Sequence, residues 1–283
     1  MTSANDCFTL QNGIKIPCIG LGTWQTPDGN TCIQSVIDAV EAGYTHIDTA
    51  AIYGNEEGVG AAVKQCAKPR KDLFITSKLW NAVRGYDETI MAFNQSMEKL
   101  GLDYMDLYLI HWPNPAAYRD CWAEKNAASW RAMEDLYDQG RIRAIGVSNF
   151  LPHHLDALAK TQRIMPTVNQ IRLCPGETQD ATVDYCRARN IVIEAYSPLG
   201  TGKVFASPAM AALSAKYEKS IAQICIRWSL QMGFLPLPKS VTKERIQENL
   251  DVFDFELNGE DVALIADLKN CCGESNHPDR TTF

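Results

Sequence analysis

The sequence predicts an α/β protein with a parallel sheet, as a closed (β/α)₈ barrel or an open doubly wound sheet. Three observations carry this expectation. Strand-like and helix-like segments alternate eight times along the chain. No linker, repeat or shift of composition interrupts them, so residues 1–283 read as one domain. The length of 283 residues is close to the roughly 250 that a single α/β barrel uses.

The segment Phe8 to Pro17, FTLQNGIKIP, opens the chain with a hairpin signal. Asn12-Gly13 between two short apolar runs predicts a two-residue type I′ turn, which needs positive φ at both central residues. The strands expected after it are Cys18–Thr23, His46–Thr49, Leu73–Lys78, Met105–His111, Ala144–Val147, Thr167–Gln170, Val192–Tyr196 and Phe234–Pro238. Most are short continuous apolar runs, the pattern of parallel strands buried on both faces. Between them, Ile90, Phe93, Met97 and Leu100 share one helix face, with Gly101 as the stop. Ser220 and Gln223 form a capping box ahead of Ile221–Met232, and Gly233 ends that helix.

Composition excludes several functions. A net charge of −7 argues against nucleic acid or an anionic membrane as the main partner. The start, MTSANDCFTL, lacks a basic segment followed by an apolar one, and Ile221 to Pro238 carries Arg227 and a glycine, so neither a signal peptide nor a membrane span is expected. The ten cysteines include no C-x-x-C pair. They read as reduced thiols of a cytoplasmic protein with no metal spacing.

Ionisable residues close three consecutive strands: Asp48 in HIDTA, Lys78 in FITSK and His111 in LYLIH, with Tyr53 just past the first. In a barrel, strand C-termini carry the chemistry. Singly, each has a plain structural explanation, as a helix cap, a solvated lysine, a satisfied histidine or a loop aromatic. Together at adjacent strand ends they read as a proton-transfer site. A free tyrosine titrates near 10 and an ammonium nearby lowers that value, so Lys78, held by Asp48, would prepare Tyr53 to protonate a carbonyl oxygen. His111 would add a second hydrogen bond. This set supplies no electrons, so a hydride donor is required.

A dinucleotide fingerprint is missing: Gly58-Val59-Gly60 lies in a helical pattern, and helix packing explains it better. The anion-binding signal comes late, where Lys239, Ser240, Thr242 and Arg245 follow the last strand and open a helix. Free N–H groups at a helix start and two cations suit a phosphate monoester. Ser148, Asn149, Gln170 and Tyr196, at the ends of intervening strands, offer bonds for a carboxamide and a face for ring stacking.

With these residues assembled, the chain resembles the aldo-keto reductases from end to end. The matching segments are GLGTW (20–24), GYTHIDTAAIYGNEEGVG (43–60), ITSKLWN (75–81), DLYLIHWP (106–113), IRAIGVSNF (142–150), VNQI (168–171), EAYSPLG (194–200) and LPKSVTKERIQEN (237–249). The resemblance implies a TIM barrel closed below by an N-terminal hairpin, and NADPH-dependent reduction of small aldehydes and ketones. It implies a catalytic set of Asp48, Tyr53, Lys78 and His111, with Tyr53 as general acid. Cofactor contacts are implied at Gly22, Thr23, Trp24 and Asp48, with Ser148, Asn149 and Gln170 on the carboxamide and Tyr196 stacked on the nicotinamide. Ser197 and Leu199 fall near the pyrophosphate, and Lys239, Ser240, Thr242, Arg245, Glu248 and Asn249 near the 2′-phosphate and adenine. Trp24, Trp80 and Trp112, with Tyr53 and His111, would line the substrate pocket. A monomer is the family's usual state. The compact stretches Pro115 to Asn126 and His277 to Phe283 resemble short microbial and protozoan members acting on diketogluconate-like sugars, methylglyoxal-like aldehydes or prostanoid ketones. Two alternatives remain: a cofactor-binding regulatory subunit, and a Schiff-base lyase using Lys78, which pairing with Asp48 disfavours.

Overall fold

The computed structural model describes residues 1–283. An antiparallel hairpin comes first, β1 (Cys7–Thr9) with β2 (Lys15–Pro17). Its turn differs from the two-residue type I′ expected. The Leu10 N–H bonds the Ile14 carbonyl at 2.8 Å, which leaves residues 11–13 as the loop. Gly13 has a φ of 82°, whereas Asn12 is not in the left-handed region. The additional residue lets Gln11 and Asn12 dock beneath the sheet, donating to the Arg189 and Arg143 carbonyls at 2.8 and 2.9 Å.

Eight strands then pair in sequence order, all parallel: β3 (Leu21–Gly22), β4 (His46–Asp48), β5 (Phe74–Leu79), β6 (Met105–Ile110), β7 (Ile142–Ser148), β8 (Val168–Arg172), β9 (Val192–Tyr196) and β10 (Leu235–Leu237). The Gly20 and Gly22 N–H groups bond the Pro236 and Pro238 carbonyls at 3.1 and 2.9 Å. Those two bonds close the sheet, so of the two architectures open in the sequence the molecule adopts the barrel. β3 is shorter than expected because the chain before it is already engaged, the Cys18 N–H bonding Asp6.

Helices α1 (Asn30–Ala42), α2 (Glu56–Gln65), α3 (Tyr86–Leu100), α4 (Trp122–Asp138), α5 (Pro152–Ala159), α6 (Asp180–Arg187), α7 (Pro208–Tyr217), α8 (Ile221–Gln231), α9 (Lys243–Leu250) and α10 (Gly259–Asp267) surround it. Local chemistry sets their ends as the sequence implied. α3 stops on Gly101 at φ 61°, and Ser220 and Gln223 exchange the two bonds of a capping box ahead of α8. Gly60 lies inside α2 where a Cβ would stand 2.1 Å from the Leu100 carbonyl oxygen, so its role is close packing of α2 on α3. None of the helices is long and apolar enough to cross a membrane.

Side chains alternate across each strand, so every second residue points into the barrel. The bottom of the lumen holds Phe74, Leu107, Val168 and Leu235, capped by Leu10 and Ile16 of the hairpin. Burying these last two side chains contributes about 1.5–3 kcal/mol each. Two residues further up the same strands stand Thr76, Leu109, Gln170 and Leu237, and the faces turn polar toward the top. The opposite faces feed the larger core beneath the helices, including Ile47, Ile75, Tyr108, Ile145 and Ile193. Strand parity therefore delivers an apolar floor from β5, β6, β8 and β10 and a polar rim above it.

Candidate active site

At the C-terminal ends of the strands the barrel opens into a cleft of about 1110 Å³. Asp48 ends β4 and Lys78 is the penultimate residue of β5, both facing the lumen and buried. Lys78 Nζ donates to Asp48 Oδ1 at 2.6 Å, to the Thr49 carbonyl at 2.9 Å and to the Tyr53 hydroxyl at 3.4 Å. Tyr53 reaches this position because a single 3₁₀ turn, Ala51–Tyr53, folds the chain back just after β4 and ends on Gly54 at φ 69°. His111 follows β6, its ring edge-on to Tyr53 and Trp80 at centroid distances of 5.7 and 5.2 Å. The strand-end residues grouped in the sequence thus converge on one point.

Their charges follow from burial and neighbours. Burial opposes the Lys78 charge, but Asp48, then Tyr53, outweigh it and raise its pKa, so the ammonium persists. That removes the amine nucleophile a Schiff-base lyase needs. Tyr53 departs from the expectation of a lowered pKa: burial raises it more than Lys78 pulls it down, and the phenol stays protonated. Burial, then Lys78 and Arg84, hold His111 far below the usual histidine range, so its imidazole is neutral.

Further round the rim, Ser148 ends β7 and donates to the Gln170 backbone carbonyl at 2.8 Å. Asn149 sits in the left-handed region at φ 62°, gives its amide to the His111 carbonyl at 3.0 Å and receives the Tyr196 hydroxyl at 2.9 Å. Gln170 donates to Asp48 Oδ2 at 2.9 Å and to Glu194 Oε2 at 2.7 Å, leaving its own amide oxygen unpartnered in the cleft. Ser197 and Leu199 continue the wall after β9.

The far end is formed by Lys239, Ser240, Thr242, Arg245, Glu248 and Asn249, as α9 begins. Lys239 and Arg245 have no carboxylate partner. Ser240 Oγ accepts the Thr242 N–H at 3.1 Å and shapes the turn into the helix. Gly22, Trp24, Trp80 and Trp112 also line the cleft. Thr23 does not: it is buried, and its hydroxyl donates to the Asp48 carbonyl at 2.9 Å, tying β3 to β4.

The sequence reading missed several residues. Phe283 enters the cleft from the end of the chain, stacked on Trp80 at 5.8 Å and edge-on to Trp112 at 5.3 Å. Buried Arg84 holds the same two loops together, donating to the Trp80 and Trp112 carbonyls at 2.7 and 2.8 Å. Nothing local in the sequence marks Arg84, whereas Phe283 closes the compact tail, His277 to Phe283, that the sequence singles out. Glu194 did leave a signal, a charged residue inside the buried strand VIEAY.

Residues 18–270 match the family model described as Aldo/keto reductase family. A glyoxal reductase of Bacillus subtilis (strain 168) is 46% identical over 282 residues, covering 100% of this chain and 99% of the relative. A crystal structure of an aldo/keto reductase from Brucella melitensis superposes with a TM-score of 0.87 at 43% identity, over 94% of this chain and 98% of that one. An aldo-keto reductase of Bombyx mori, solved in complex with NADP, gives 0.83 at 37% identity, over 94% and 93%. Fold, family model and relatives agree along nearly the whole length: the chain belongs to the aldo/keto reductase family and is an oxidoreductase of aldehydes and ketones.

Proposed function

We propose that this barrel, as one domain over residues 1–283, uses NADPH to reduce small aldehydes and α-dicarbonyls to alcohols, with Tyr53 as general acid. The observation that carries the reading is one cleft with Lys78, Asp48 and Tyr53 wired together at one end and two unpaired cations at the other. The cofactor fits what the residues leave open. Lys239 and Arg245 suit a 2′-phosphate, the free Gln170 oxygen suits a carboxamide N–H, and Tyr196 offers a ring face. When bound, the nicotinamide supplies the hydride.

The protein's own work is polar. His111 donates from its ring to the substrate oxygen and orients the carbonyl. Negative charge developing on that oxygen draws the Tyr53 proton, and the Lys78 ammonium stabilises the phenolate left behind. Asp48 keeps Lys78 charged and aimed. Trp24, Trp80, Trp112 and Phe283 shield the carbonyl from water. The glyoxal-reducing relative supports small α-dicarbonyls as substrates, and ten unpaired cysteines fit a reducing cytoplasm. The regulatory-subunit alternative finds no support among the relatives, which are named as reductases or oxidoreductases.

Oxidation of NADPH followed with a panel of aldehydes and α-dicarbonyls tests the reading. Turnover with small dicarbonyls is expected. Tight NADPH binding with no turnover of any member would overturn it.

A further inference from the structure

Glu194 takes no part in the proton transfer described above, yet it lies directly beneath the site. It precedes Tyr196 by two residues on β9 and shares its lumen-facing side. The side chain is fully buried. Its Oε2 accepts one Gln170 amide hydrogen at 2.7 Å, while Asp48 Oδ2 accepts the other at 2.9 Å. A primary amide has two hydrogens to donate, and both are now assigned. The Gln170 group can no longer rotate without breaking bonds to two carboxyls, so its oxygen must face the cleft.

We propose that Glu194 is a positioning residue of this reductase: with Asp48 it clamps the Gln170 amide, and so fixes the Gln170 oxygen as the acceptor for the nicotinamide carboxamide. This inference rests on the reading that NADPH occupies the cleft. The role explains why a carboxyl survives inside an otherwise apolar strand, where an aliphatic residue would cost less to bury.

The surroundings of Glu194 set its charge. His46 and Asp48 face it from β4, Lys78 from β5, Gln170 and Arg172 from β8, and Tyr196 from its own strand, while β10 presents only Leu235 and Leu237. Its Oε1 has no hydrogen-bond partner and stands 3.8 Å from His46 Nε2. Burial, then the Asp48 charge, push its pKa up to about 8. Burial pushes His46 down to about 3, while Lys78 and both tyrosines, Tyr53 and Tyr196, are shifted upward. At neutral pH Glu194 is therefore a neutral acid that can accept from Gln170 without adding a second negative charge beside Asp48. Above pH 8 it ionises. The added charge lies one hydrogen-bonded step from the carboxamide, so it favours the cationic ring of NADP+ over the neutral ring of NADPH.

The folded pKa is raised above the ordinary carboxyl value of about 4.3. Its stabilising contribution is therefore complete below that value and is lost as pH rises through about 8. Glu194→Gln mimics the neutral acid and removes this loss. Its melting temperature should gain on the unsubstituted protein between pH 5 and 8.

The test titrates the protein, Glu194→Leu and Glu194→Gln with NADPH and with adenosine 2′,5′-bisphosphate, which reaches only the Lys239–Arg245 end. Glu194→Leu should bind NADPH about tenfold more weakly, as one positioned hydrogen bond is lost, and the bisphosphate unchanged. Glu194→Gln should restore NADPH binding. In the unsubstituted protein, preference for NADP+ over NADPH should rise several-fold from pH 6.5 to pH 9, and stay flat in Glu194→Gln. Unchanged NADPH affinity in Glu194→Leu, or equal losses of both ligands, would overturn the role. If Glu194→Leu does not fold, a Glu194→Gln protein that keeps the pH-dependent preference overturns it instead. Failure of the unsubstituted protein to bind either ligand would instead overturn the cofactor reading and, with it, this inference.

Discussion

Lys78, beneath the Tyr53 end of the cleft, has no exposed surface and three oxygen partners within 3.4 Å. Lys239 and Arg245, at the other end, have none; Arg245 is exposed and Lys239 half-buried. The same kind of charge thus does two different jobs. The buried ammonium is held in place before any substrate arrives, because the low-dielectric lumen would not tolerate it unpaired. The outer cations are screened by water and keep their donors free until an anion arrives. Partial burial already lowers the Lys239 pKa, a cost that a bound phosphate would remove. On the proposed function, one end of the cleft serves proton transfer and the other cofactor recognition. Substitutions at the two ends should therefore affect different measurements.

The largest effect is expected at the buried end. Lys78→Met strands the Asp48 carboxylate in the lumen, and removing one partner of a buried pair costs about 3–5 kcal/mol of stability. Activity should fall by about 10²–10⁴, since the phenolate formed on Tyr53 loses its counter-charge. Chemical denaturation and kcat, measured on the same preparation, check both halves of this statement. A variant as stable as the unsubstituted protein would mean that the Asp48 charge is not confined as the structure implies.

Smaller and more selective effects are expected at the exposed end. Arg245→Ala and Lys239→Ala should each weaken NADPH by about 1.5–3 kcal/mol, the loss of a charge-assisted bond, and leave NADH almost unaffected. Stability should not change, because neither side chain supports another part of the fold. Equal losses for NADPH and NADH, read from fluorescence titrations, would show that the cluster recognises something other than the 2′-phosphate.

The two ends also differ in how legible they were. Asp48, Lys78 and His111 stand out in the sequence because ionisable residues close apolar runs, and strand parity alone puts them in the lumen. The eight strands were readable for the same reason. The turn type was not, because Asn-Gly allows a type I′ turn but docking of Gln11 and Asn12 beneath the barrel selects a longer loop. The closed barrel was not settled by periodicity either, since closure depends on two bonds between segments more than 200 residues apart, Gly20 to Pro236 and Gly22 to Pro238. Arg84 acts across distant loops, and a buried arginine bonded only to carbonyls has no sequence signature; the tail ending in Phe283 is legible as a compact stretch, but its stacking on Trp80 is not. The Tyr53 pKa was misjudged in sign because spacing shows which charge is near but not how deeply the phenol is buried.

Tyr53→Phe tests the central claim most directly. The substitution removes one hydroxyl and retains the ring that packs against His111. In a stopped-flow experiment with NADPH-loaded protein and glyoxal, the variant should bind NADPH with unchanged affinity and oxidise it at least about a hundredfold more slowly. Oxidation at the unsubstituted rate would contradict the assignment of Tyr53 as the acid, and with it the mechanism built on the Lys78 pair.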